Sequence, residues 1–355
     1  MKRKERLSNM ELLRLVAMFM VMALHANFFA LCIPSAREVS GEPLRAFTRC
    51  VFEGLCIVSV DVFVLLSGWF GIRPSLRGFL ALVFQCLFFS FVLWGAGAAL
   101  GMAQRTPWQE VEAALTFRDW WFVRCYIGLY VVSPALNIFA DRVPRGWQTA
   151  VLALFFAAQT VTGFLTHLCP LFDNGYSVLS FAGLYLLARH LRRFPCKPLA
   201  LPAACHFALY ALLAAANAAA AFLYARHASH PVSYTFYNYT NPLVIGAALA
   251  LLLGFSRITL KSTAVNTLAA SAFAIYLFHT HPLTGTKLFI PTARQLFRSH
   301  SGAEYLALTL LFLLAVALAA IAADRVRLLL WHKMLATAQR KTGNAGGDKT
   351  QGETH

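Results

Sequence analysis

Apolar runs of membrane length, separated by short polar or proline-bearing connections, recur from one end of the chain to the other. A helix needs roughly 17 to 25 apolar residues to cross a bilayer, and the pattern predicts about ten such helices. They fall over 9–30, 51–71, 78–101, 119–139, 148–168, 176–188, 199–225, 239–255, 264–281 and 303–323. The sixth is short and carries Ser177, Ser180 and Gly183 in its first half. The expected class is therefore an all-α polytopic membrane protein. A single transmembrane domain spans 1–335, and a polar, aperiodic tail over 336–355 is expected to be disordered.

The first run, NMELLRLVAMFMVMALHANFFA, holds three groups foreign to hydrocarbon: Glu11, Arg14 and His25. At 100° and 1.5 Å per residue, Arg14 and His25 return to nearly the same face, about 16 Å apart along the axis. Glu11 lies within about 40° of the same stripe. Ionisable groups in a membrane helix face a bundle interior or a watery cavity, so the stripe predicts a polar track running inward. An i, i+3 pair with a snorkelling arginine would account for Glu11 and Arg14 alone. His25 has no such local partner.

Other spans add candidates. The second carries Glu53, Asp61 and Ser67-Gly68; a carboxylate in the membrane must be paired, protonated or wet. Asp61 could bridge to Arg14 or serve chemistry, and either Glu53 or Asp61 could orient His25. Arg73 and Arg77 follow in a tight connection that could cradle a phosphate-bearing donor, or simply carry topological charge. Further on, paired tryptophans precede Arg124, which must find an anion or snorkel, and Tyr126. His279 and His281 end the ninth span on different faces; the spacing argues against a metal site, but one of them could approach His25.

Charge settles orientation more than partner. The net charge is +16, yet with the N-terminus inside, most of the 31 Lys and Arg fall in cytoplasmic segments. These include Lys2 to Arg6, Arg73 and Arg77, Arg142 and Arg145, Arg189 to Lys197, Arg257 and Lys261, and the tail. Both termini are expected in the cytoplasm, and the basicity does not call for nucleic acid. A signal peptide would be shorter and lack Arg14 and His25, so the first run is read as a retained helix. The eight cysteines show no metal-ligand spacing, although Cys32, Cys50 and Cys169 could meet on the outer side.

Four stretches together resemble the integral-membrane acyltransferase-3 family. They are Asn9–Arg14 followed by His25, Val60–Gly68, Trp121-Phe122 through Leu129-Tyr130 to Pro134, and Ile275–His279 before Pro282. The resemblance covers about 7 to 323. It implies a ten-helix bundle in the bacterial inner membrane that transfers an acyl group, commonly acetyl, from cytoplasmic acyl-CoA to a hydroxyl of a glycan or lipid-linked sugar outside. It further implies functional roles for Arg14 and His25 and donor contacts from Arg73 and Arg77. Acyl-CoA is then a co-substrate, and no bound cofactor is expected. Some members carry an added extracytoplasmic hydrolase-like domain; none is expected here, so acceptor handling is expected within the helices and short loops.

The residues alone leave two mechanisms open: His25 as base toward the acceptor, or as covalent acyl carrier. The rival class is a secondary transporter or glycan exporter, with Glu11, Arg14, His25 and Asp61 as a polar pathway. No second copy of the Arg14 to His25 pattern supports the internal repeat common in transporters.

Overall fold

A computed structural model of the protein describes residues 7–347, and all regular structure among them is helical. In chain order the helices are α1 (Ser8–Leu24), α2 (Ala36–Gly41), α3 (Pro43–Cys56), α4 (Ser59–Phe70), α5 (Leu76–Ala99), α6 (Pro107–Thr116), α7 (Trp121–Arg142) and α8 (Arg145–Ala158). They continue with α9 (Val178–Arg193), α10 (Ala203–Ala228), α11 (Pro242–Ser256), α12 (Thr263–Ala269), α13 (Ala272–Thr280), α14 (Pro282–Thr284), α15 (Ile290–Ser299) and α16 (Gly302–Gly347). The expected disordered tail lies outside the described residues from 348 onward, and the backbone up to Gly347 is helical.

Among the described residues, eight helical stretches are long and apolar enough to cross a membrane: 8–29, 43–70, 76–99, 121–142, 145–165, 203–228, 234–256 and 302–337. The protein is thus a polytopic all-α membrane protein. The expected sixth and ninth spans are shorter. The sixth is the 16-residue α9, and the ninth is broken into α12 and α13 at Ala270-Ser271. The second span begins earlier than its apolar run, because Pro43 sits at the first turn of α3, where its missing N–H costs nothing. Arg45 and Arg49 therefore lie on a helix and not in a loop.

The spanning windows of α1 (56% buried), α3–α4 (72%) and α11 (72%) form the centre, while that of α16 (17%) is peripheral. α1 packs against α3, α4, α11, α12 and α13, and α13 packs in turn against α5 and α16. α4 lies against α9 so closely that a Cβ on Gly68 would collide with the backbone carbonyl of Tyr185. The connection after α4 then turns at Gly71, whose φ of +75° suits glycine. All eight cysteines are free, with Cys50 buried in the core, so Cys32, Cys50 and Cys169 do not pair.

Candidate active site

Two cavities meet inside the bundle, one at each end of the α1 stripe. The first, of about 480 Å³, is lined by His25, Glu53 and a set of aromatic residues that includes Trp121, Tyr176, Tyr237 and Tyr239. The second, of about 540 Å³, is lined by Arg14, Ser67, Gln85, Tyr126, Arg327, Trp331 and His332. Phe63, Phe122 and Phe273 line both. Their rings pack edge-to-face or tilted, with centroids 6.2 Å apart for Phe63–Phe122 and 6.5 Å for Phe122–Phe273. An aromatic wall therefore separates an arginine cavity from a histidine cavity.

His25 opens a π-helical turn, His25–Phe29, that widens α1 as it reaches the first cavity. Such turns occur frequently at functional sites. Its Nδ1 lies 2.9 Å from Nε2 of His279, and Nδ1 of His279 lies 2.6 Å from the carbonyl oxygen of Ile275. A carbonyl accepts only, so His279 Nδ1 carries the proton and, in the neutral ring, Nε2 is the acceptor. His25 must then donate from Nδ1, which leaves Nε2 as its lone-pair nitrogen on a ring bordering the cavity. The chain from Ile275 through His279 thus fixes the tautomer of His25 and leaves its Nε2 lone pair free. Of the two candidate histidines it is His279 that reaches His25; His281 turns toward Glu110, 3.8 Å away.

Neither predicted carboxylate orients the imidazole. Glu53 lines the same cavity but accepts from Asn27 Nδ2 at 2.9 Å. Asn27 in turn donates to the Arg49 carbonyl at 3.0 Å and accepts from Arg49 Nε at 3.3 Å. Arg49 is paired with Glu38 at 2.8 Å and also donates to the Cys32 carbonyl. This network ties the π turn to α3 and to the segment that follows α1. Asp61 is buried and lines neither cavity, and neither of its oxygens has a hydrogen-bond partner among the described residues. It does not bridge to Arg14, because Arg14 is committed to Glu11 at 2.7 Å.

In the arginine cavity, the Ser67 hydroxyl donates to the Phe63 carbonyl at 2.9 Å and lies 3.2 Å from the Tyr126 hydroxyl. Arg73 and Arg77 are exposed after α4 and line neither cavity. Arg124 is also exposed, with no ion pair among the described residues. Outside both cavities, Arg105 holds Asp119 through two hydrogen bonds of 2.6 and 2.7 Å, which raise its pKa above the ordinary guanidinium value.

Sequence reasoning missed Asn27, Arg327 and His332. Asn27 was visible as a polar residue within the first span, but an amide carries no charge to flag it. Arg327 and His332 lie past the apolar run of the last span, and they reach the cavity because α16 continues without a break.

Membrane-spanning helices around two cavities, with His25 on the lining of one and hydrogen-bonded to His279 behind it, define a polytopic membrane protein with an interior site. The family described as an acyltransferase domain, acyltransferase-3, matches residues 7–324, nearly the whole chain, and the protein belongs to that family: it is a membrane acyltransferase. No curated protein and no solved structure matches the chain. The transporter alternative is thereby set aside.

Proposed function

We propose that the protein moves an acyl group, acetyl in the simplest case, from cytoplasmic acyl-CoA to a hydroxyl of a surface polysaccharide, lipopolysaccharide or related glycan, working in a bacterial inner membrane. The observation that carries this reading is the abutment of the two cavities on α1, with Arg14 on one and His25 on the other. A guanidinium suits the phosphate-bearing part of a donor. An imidazole with a free lone pair suits removal of a hydroxyl proton near neutral pH.

The histidine cavity also fits a sugar. Trp121 stacks on Tyr239 with centroids 5.8 Å apart and closes on Tyr176 at 4.2 Å, offering flat apolar faces to the C–H surface of a pyranose. Asn174 and Asn238, joined at 2.9 Å, add amide groups to the same lining. No Lys or Arg lines this cavity among the described residues, which favours an acceptor without negative charge.

In the direct route, His25 Nε2 takes the acceptor proton as the sugar oxygen attacks the thioester carbon; the C–S bond then breaks and the proton passes to the leaving sulfur. In the covalent route, Nε2 attacks the thioester carbon and the C–S bond breaks to release CoA thiolate; the sugar oxygen then attacks the acyl carbon, Nε2 leaves, and the hydroxyl proton ends on the thiolate sulfur. Either route needs the thioester to pass the aromatic wall while the phosphates stay near Arg14. Arg73 and Arg77, exposed beyond Ser67, would meet the nucleotide end.

The test is transfer from labelled acetyl-CoA by the purified protein in nanodiscs, parent against His25→Ala, with intact-mass analysis. The reading expects donor turnover in the parent and its loss in the variant, with donor binding kept. An acyl mass increment confined to the parent would select the covalent route. Equal turnover in both proteins would remove His25 from the mechanism.

A further inference from the structure

The family match ends at residue 324, yet α16 runs on in the same helix to Gly347. Its next two turns place Arg327, Leu328, Trp331 and His332 on the wall of the arginine cavity, a spacing of i, i+1, i+4 and i+5 that forms one stripe. Arg327 is the unusual member. It is only 5% exposed, and its one hydrogen bond among the described residues runs from Nε to Asp324 Oδ1 at 2.5 Å. Gln85 donates to that same oxygen at 3.0 Å, and Asp324 Oδ2 has no partner among the described residues. The two terminal nitrogens of Arg327 therefore keep their N–H donors uncommitted on a cavity wall that also carries Arg14.

A guanidinium held by Nε, with its terminal nitrogens open to the cavity, presents that pair in the fork that matches a phosphate. Arg14, which lines the same cavity, is tied through one nitrogen to Glu11 and is the only other arginine among its described lining residues. We propose that Arg327 is a donor-binding residue: with Arg14 it clamps a phosphate of the acyl donor, so that the end of α16 beyond the family region completes the donor pocket. Asp324 and Gln85 act as positioning residues that hold the guanidinium in register. The inference rests on the acyl-CoA reading above.

The experiment measures binding of CoA and of pantetheine, which lacks phosphate, to the protein in phosphatidylcholine nanodiscs by titration calorimetry. The proteins compared are the parent, Arg327→Gln, and the double variant Asp324→Asn with Arg327→Gln, which removes the ion pair without stranding a buried carboxylate. Both variants should bind CoA about 10- to 100-fold more weakly, the loss expected for a charged hydrogen bond, and bind pantetheine as the parent does. Recovery of CoA affinity in the double variant would mean that Arg327 only neutralises Asp324, and would overturn the proposal. Equal weakening toward CoA and pantetheine, the mark of a collapsed pocket, would also overturn it. Unchanged CoA affinity, with less phosphatidylglycerol co-purifying with the variants, would assign the site to a lipid headgroup instead. A parent that binds no CoA would overturn the donor reading itself, an outcome distinct from all of these.

Discussion

His25 and His279 share a 2.9 Å contact between their ring nitrogens across α1 and α13, and the second ring is anchored to its own helix through Ile275. The arrangement is directional. The backbone carbonyl sets the tautomer of His279, and His279 sets that of His25.

Replacing His279 with Ala should lower kcat by about 10- to 100-fold, the scale on which loss of an orienting partner acts, with little change in donor affinity. His279→Gln, whose amide oxygen can still accept from His25 Nδ1, should retain more activity than the alanine variant. Steady-state kinetics on the three proteins decide the matter, and equal losses in both variants would deny the acceptor role.

Acidification should suppress turnover. Each neutral ring has one proton to donate along the chain, so an added proton either occupies His25 Nε2 or removes the acceptor on His279. Activity is therefore present above the apparent pKa of the pair and lost as the pH falls through it, and that pKa belongs to both rings together. A kcat profile carried downward from neutral pH should show this limb, displaced in His279→Gln.

Phe122 is the member of the wall that stacks on Tyr126 below and meets Tyr276 beside it. Phe122→Leu should thin the barrier between the cavities and admit water to the thioester. Thiol release from acetyl-CoA without acceptor should rise severalfold relative to the parent. Hydrolysis at the parental rate would mean that the wall does not keep water from the donor.

Gly68→Ala should destabilise the bundle by about 1–3 kcal/mol, the usual cost of overpacking, because the added methyl meets the Tyr185 carbonyl and no flexible side chain can give way. Thermal unfolding in detergent should show a lower Tm, with α4 and α9 forced apart.

The stripe on α1 was legible because the helix stays regular to Leu24, so the 100° step carries Arg14 and His25 to the cavities that the arithmetic implies. The choice between His279 and His281 was not, since it depends on the break at Ala270-Ser271 and on how α13 packs against α1. Arg327 escaped notice because hydropathy ends before the helix does. Asp61 shows the opposite failure: its charge in an apolar run marked it for the site, yet it lines neither cavity. Charge alone identifies a group that must be accommodated; it does not say where the ligand lies.

The π turn at His25–Phe29 has a genetic corollary. A turn of this kind absorbs one surplus residue while the helix on either side keeps its phase. Deleting a single codon within 26–29 would let the turn tighten to α-helical pitch, with Ala30 still offering its carbonyl to Arg294 at 2.6 Å. The same deletion between Arg14 and His25 would rotate the two against each other by about 100°. Expression and turnover of the two deletants would separate these cases. Along α1, tolerance to length change is concentrated at the one turn that already departs from regular pitch, and the segment linking arginine to histidine has none to spare.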